Sequence, residues 1–185
     1  MRFLTIFEKV HGVKAFHLLL TFLVPLSGCL VSCSSQVKAR QPVSYHFQYG
    51  RTAKLKDGIA YAPKSAPTAV KRAIAAGNRL QGKPYKWGGG HARQDDSGYD
   101  CSGTVSYVLR AAGLMKGSLP SRGYFNYGKK GEGKWITVYI RSGHVFMTVA
   151  GLRLDTGGPG GETGPRWKTA TRQGVGHVMR HPGGY

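Results

Sequence analysis

Asp100-Cys101-Ser102-Gly103 places a cysteine where a polar, glycine-rich stretch gives way to an amphipathic run containing Val105, Val108, Leu109 and Ala112. Further on, His144 opens the apolar run His-Val-Phe-Met-Thr-Val, directly after the turn-forming pair Ser142-Gly143. A free thiol has a pKa near ~8.5, and the thiolate is the nucleophile. The first turn of a helix carries unpaired N–H groups and the positive end of the helix dipole, so a cysteine there is biased towards thiolate. A distant imidazole supplies a base, and a cysteine with a histidine is the raw material of nucleophilic thiol catalysis. Each residue also has a plainer reading: Cys101 as a buried structural thiol, His144 as a hydrogen-bonded core histidine. The polar flanks of Cys101, and the presence of both residues, favour the chemical one.

A third group should orient the imidazole, and Asp155, on the next strand-like run, is the candidate. If Ala150-Gly151 is a two-residue hairpin turn, Phe146 stands opposite Asp155 and His144 shares its side of the sheet. The two are then diagonal neighbours, about 7–8 Å apart between backbones and within side-chain reach. If the turn is Gly151-Leu152, the sides still agree but the offset grows. The plainer role for Asp155 is to cap the Thr-Gly-Gly turn that follows it.

The elements that must hold these groups can be read from periodicity. A helix is expected from Cys101 to Ala112, with Asp100 as N-cap and Gly113 as stop. An earlier helix is expected over 65–80, capped by Ser65, with Pro67 in its first turn and Val70, Ile74, Gly77 and Leu80 at helical spacing. The loop between them holds Gly88-Gly89-Gly90, which permits close backbone approach. It lacks the Gly-Lys-Ser/Thr ending of a phosphate loop. Residues 114–133 read as irregular. Strands are expected at 134–140, 144–149 and 152–156, joined by short turns into an antiparallel meander, with a last strand around 175–180. Val43, Tyr45, Phe47 and Tyr49 alternate as a short half-buried strand would. Helices first and strands after give an α+β class, with helices packed on one face of an antiparallel sheet.

Of the 185 residues, the first 28 read as a signal sequence: Arg2, Lys9 and Lys14, then the apolar run Leu18–Leu26. That run falls short of the ~20 residues that span a bilayer. The formal net charge is +19, spread along the whole chain. It favours anionic partners. A secreted chain with no zinc-finger spacing and no basic heptad region gives no case for nucleic acid. Three cysteines make no disulfide framework. His177 and His181 are four apart, but no third ligand is placed near them. They are expected in a solvated C-terminal loop, with no metal and no cofactor implied.

Two resemblances sharpen this reading. Leu26-Ser27-Gly28-Cys29 resembles a bacterial lipoprotein signal, in which the chain is cut before a cysteine that is then acylated; Leu30-Val31-Ser32-Cys33 also fits, and Cys29 is preferred because it directly follows the apolar run. Pro84-Tyr85-Lys86-Trp87-Gly88-Gly89, Asp96-Ser97-Gly98-Tyr99-Asp100-Cys101-Ser102-Gly103 and Gly143-His144-Val145 together resemble the NlpC-type family of cysteine peptidases, over residues 66–158. The resemblance implies a reduced papain-like fold, with Cys101 as nucleophile, His144 as base and Asp155 as third residue. It implies that Tyr85 lines the site and that Asp100 and Ser102 help bind the peptide. It implies cleavage next to D-glutamate and diaminopimelate in peptidoglycan stem peptides. The chain departs from the family in extra residues around Gly90-His91-Ala92-Arg93, in Gly131–Trp135 where Pro-Gly-Asp is usual, and in Asp155 where His is common.

The expected organisation is a signal over 1–28, a tether and N-terminal arm over 29–64, and a peptidase domain over 65–185. The expected protein is a monomer in the cell envelope, lipid-anchored on the extracytoplasmic side. The competing readings are a papain-like amidase or acyltransferase, and a non-catalytic, lipid-anchored wall-binding module.

Overall fold

The computed structural model describes residues 42–157 and 163–185. The signal sequence, Cys29 and Cys33 lie outside the described residues.

A short hairpin comes first, β1 (Lys54–Lys56) with β2 (Ile59–Tyr61). Two helices follow, α1 (Thr68–Arg79) and α2 (Cys101–Ala111). A 3-10 turn at Ser121–Asn126 leads into a sheet made of β3 (Lys129–Lys130), β4 (Ile136–Arg141), β5 (His144–Val149), β6 (Leu152–Asp155), β7 (Arg166–Lys168) and β8 (Val178–His181). All its pairings are antiparallel, in the order β3-β8-β4-β5-β6-β7. Strands β4 to β6 form the expected meander, β7 adds an edge strand that was not expected, and β8 returns to the free edge of β4. The α+β class therefore holds, with helices on an antiparallel sheet.

Period-2 alternation decides which side of the sheet is core. Val138 pairs with Met147 and Ile140 with Val145, and Met147 with Leu154, so these side chains share one side. All are at most 1% exposed and join Val70, Val105, Val108 and Leu109 of the helices in one core. Each such burial contributes roughly 1.5–3 kcal/mol. The opposite side carries Tyr139, His144, Phe146, Thr148, Arg153 and Asp155, polar groups interleaved with a stacked pair, Tyr139 on Phe146. One side of the central strands is thus apolar core, and the other carries buried polar and charged groups among its aromatic rings.

Several local expectations change. Ser65 does not cap α1: its Oγ donates to the Gly50 carbonyl, and the helix starts after Pro67, whose fixed φ enters a helix without a side-chain cap. The run Val43–Tyr49 is not a strand. Val43 makes a single β-bridge to Arg172, and Phe47 and Tyr49 are exposed, because no neighbouring strand continues the ladder. Residues 114–133, read as irregular, contain the 3-10 turn and β3. His177 and His181 are not in a solvated loop. His181 ends β8, and His177 is 3% exposed with its ring edge against Phe146. Among the described residues no group of His, Cys, Asp and Glu is arranged to hold a metal, and no helix is long and apolar enough to cross a membrane.

Candidate active site

Asp100 begins the site. Its backbone is extended, and its Oδ1 accepts from the Gly103 amide at 2.6 Å, which caps α2 and puts Cys101 in the first helical turn. The same carboxylate holds the glycine loop, since the Gly88 amide donates to Oδ2 at 3.0 Å. Loop and helix lie so close that a Cβ on Gly103 would sit 1.9 Å from the Gly89 carbonyl oxygen. Only glycine fits there. The loop is closed on its other flank by Lys86, whose Nζ donates to Asp96 at 2.6 Å. That bond, with the amides of Gly90 and Ser97, holds the Asp96 carboxyl well below the usual range. Tyr85 is half-buried and bridged to Tyr99, two residues before the thiol.

The β5–β6 turn is Ala150-Gly151. Both residues have positive φ, +46° and +74°, the geometry that matches the twist of a two-residue hairpin. Val149 pairs with Leu152, Thr148 with Arg153 and Met147 with Leu154, so Asp155 falls across from Phe146. His144 and Asp155 meet diagonally on one side, and His144 Nε2 lies 3.0 Å from Asp155 Oδ1. A carboxylate only accepts, so Nε2 carries the proton and Nδ1 is left for the thiol. His144 is the first residue of its strand, at the rim of the sheet, and hydrogen-bonds the Cys101 side chain. The thiol, the imidazole and the carboxylate therefore form one connected line.

The line is buried: Cys101 is 8%, His144 4% and Asp155 1% exposed. Burial pushes the imidazolium down, but the bonds to Asp155 and Cys101 outweigh it and raise His144 to about 9. Asp155 shows the mirror case. Burial pushes its carboxyl up, while the bond from His144, the Gly157 amide and the charge of Arg172 bring it below its ordinary value. Arg153 Nη1 donates to Asp155 Oδ2 at 2.9 Å, and Arg172 Nη1 lies 3.3 Å from the same oxygen. Such an arrangement sets an imidazole between a thiol and a carboxylate, and the first-turn amides of α2 can meet a developing oxyanion.

Three residues at the site carry no signal in the sequence. His91 lies in the extra residues of the glycine loop, its Nε2 3.2 Å from Asp100 Oδ1 and 3.1 Å from Ser102 Oγ. Ser102 Oγ itself donates to Asp100 at 3.0 Å. The residues anticipated as peptide contacts are thus bonded to one another and to His91. Arg153 and Arg172 were unreadable because surface and buried arginines look alike in a sequence.

No family model matches the chain, and no curated protein does. Among solved structures it is similar to Rv1477, a hypothetical invasion protein of Mycobacterium tuberculosis, at 24% identity and TM-score 0.46, over 63% of this chain and 65% of that one. The chain thus spans just under two thirds of that protein's solved chain. It is also similar to two mutated forms of the Resuscitation Promoting Factor Interacting protein RipA. One gives 23% identity and TM-score 0.45 over 70% of this chain and 72% of that one. The other gives 22% identity and TM-score 0.46 over 71% of each.

Proposed function

We propose that this chain is a cysteine peptidase that hydrolyses peptide bonds in peptidoglycan stem peptides. The observation that carries the reading is His144, bonded at once to the Cys101 thiol and, at 3.0 Å, to the Asp155 carboxylate. Cys101 attacks the peptide carbonyl as thiolate. The imidazolium gives its proton to the leaving amine, and a thioester acyl-enzyme results. His144, now neutral, takes a proton from water, and the hydroxide formed displaces the Cys101 thiolate, releasing the acid and restoring the starting pair. Asp155 holds the ring and its tautomer throughout.

The substrate class rests on the resemblance of the three motifs around Tyr85, Cys101 and His144 to cell-wall peptidases. The net charge of +19 suits an anionic wall. By the same resemblance the bond lies next to D-glutamate or diaminopimelate. Tyr85 lines the cleft, while Asp100 and Ser102 shape its wall. For either to bind a peptide amine directly, His91 must give up its place. Acylation at Cys29 would hold the monomeric domain at an extracytoplasmic membrane face, which cell fractionation with radiolabelled palmitate tests.

The test of function is digestion of purified muropeptides by the protein and its Cys101→Ala variant, with mass spectrometry of the products. Fragments that require Cys101 establish the activity and name the bond. A folded protein that leaves every wall chemistry intact overturns it and turns attention to acyl transfer or wall binding.

A further inference from the structure

Asp155 is held from behind by groups that lie outside the Cys101–His144–Asp155 line. Its Oδ2 faces two guanidinium groups, Arg153 at 2.9 Å and Arg172 at 3.3 Å. Arg153 also donates through Nη2 to the Ala170 carbonyl at 3.0 Å, which ties the segment carrying Arg172 to β6. Arg172 lies over the Phe146 ring, 5.1 Å from its centroid. Its backbone is gripped from the other side. The Val43 amide donates to the Arg172 carbonyl at 2.7 Å, and the Arg172 amide donates back to Val43 at 3.0 Å. Ser44 and Thr171 meet through their hydroxyls at 3.3 Å.

We propose that Arg172 is a positioning residue for Asp155, and that the N-terminal arm, through the Val43 backbone, is what keeps Arg172 in place. A buried carboxylate needs fixed donors on both oxygens to stay ionised and aimed. His144 and the Gly157 amide supply them at Oδ1, and the two arginines at Oδ2. Loss of Arg172 removes a cation from beside the Asp155–His144–Cys101 line. The Asp155 carboxylate is then harder to keep ionised and aimed, and His144 loses its fixed partner. The other charged groups around this point are Arg141, across from His144 at the end of β4, Arg166 and Lys168 on β7, and His177 beside Phe146. Lys168 bonds the Gly157 carbonyl and Arg166 bonds that of Lys83, so each is engaged elsewhere. Arg153 remains, which makes the expected change partial.

The inference rests on the Cys101–His144 pairing but not on the substrate. The experiment is the rate of Cys101 alkylation by iodoacetamide against pH, on the full chain, with melting temperature measured alongside. Arg172→Ala is expected to slow alkylation about tenfold at pH 6, the equivalent of about one pKa unit of interaction lost at the Asp155–His144 pair. Arg172→Lys restores most of the rate. Val43→Pro, which deletes the donating N–H, imitates Arg172→Ala, and Val43→Ala, which keeps it, restores the parent profile. An unchanged profile in folded Arg172→Ala overturns the role of Arg172. A normal profile in folded Val43→Pro overturns that of the arm. If Lys and Ala at 172 lower reactivity and melting temperature equally, Arg172 merely covers Phe146 and the proposal is wrong. A parent whose alkylation rate is unchanged by His144→Ala overturns the underlying pairing instead.

Discussion

His144 stands between two acidic groups, and its pH behaviour follows from that. Its folded value, about 9, lies above the ordinary 6.5. A raised pKa means its pairing stabilises the fold fully below about pH 6.5 and is lost as pH rises through about 9. Asp155 works in the opposite sense. Its lowered pKa means a contribution present above ordinary carboxylate values, near ~3.9, and lost as pH falls through the folded value. Melting temperature is therefore expected to plateau between about pH 4 and 6.5 and to fall on either side. Asp155→Asn should flatten both slopes. It should also lower stability by about 3–5 kcal/mol, because Arg153 and Arg172 are left as buried cations without their counter-charge. Thermal scans of both proteins across pH check this, and a parent curve that keeps rising from pH 7 to 9 contradicts it. At this scale Cys101 and His144 were legible because helix caps and turns are local signals. Asp155 was legible only conditionally, since its contact hung on which two residues made one turn.

Elements are positioned by close approaches as much as by periodicity. Gly77 sits inside α1, where alanine is favoured over glycine by roughly 0.5–1 kcal/mol. A Cβ there would lie 2.2 Å from Cζ2 of Trp167, whose indole N–H donates to Asn78 and whose backbone amide donates to Gln81. The ring is tethered and cannot step aside, and overpacking costs about 1–3 kcal/mol. The clash wins, so Gly77→Ala should lower the melting temperature by several degrees and loosen β7 from α1; calorimetry decides the sign. The sequence pattern placed Gly77 on the helix's apolar stripe but could not say that a tryptophan ninety positions away lay against it. The same limit explains what else went unread. Hairpin β1–β2 and strand β7 are three residues each, too short for a period, and their partners are set by packing. His177 looked solvated among glycines because its partner, Phe146, arrives from the middle of another strand. The meander, by contrast, was plain: three alternating runs and two short turns leave few other pairings.

For the whole molecule, charge governs encounter. If the proposed wall substrate is right, a net +19 on a chain of this size implies that binding to anionic sacculi weakens steeply as salt screens it, with a Debye length falling from about 10 Å at 0.1 M to 3 Å at 1 M. Pelleting with sacculi at low and high salt should show most of the protein released, while cleavage of small soluble muropeptides changes far less. Equal retention at both salts points to apolar or lectin-like contact instead. The helix-facing side of the sheet supplies a core without covalent help, and the described residues contain one cysteine, unpaired and at the first turn of α2. Under the proposed function, peroxide would therefore strike activity and architecture unequally. Sulfenic acid at Cys101 would silence the nucleophile while the domain stayed folded, and a small thiol reductant would revive it without refolding. The protein would be disarmed by oxidants rather than destroyed by them.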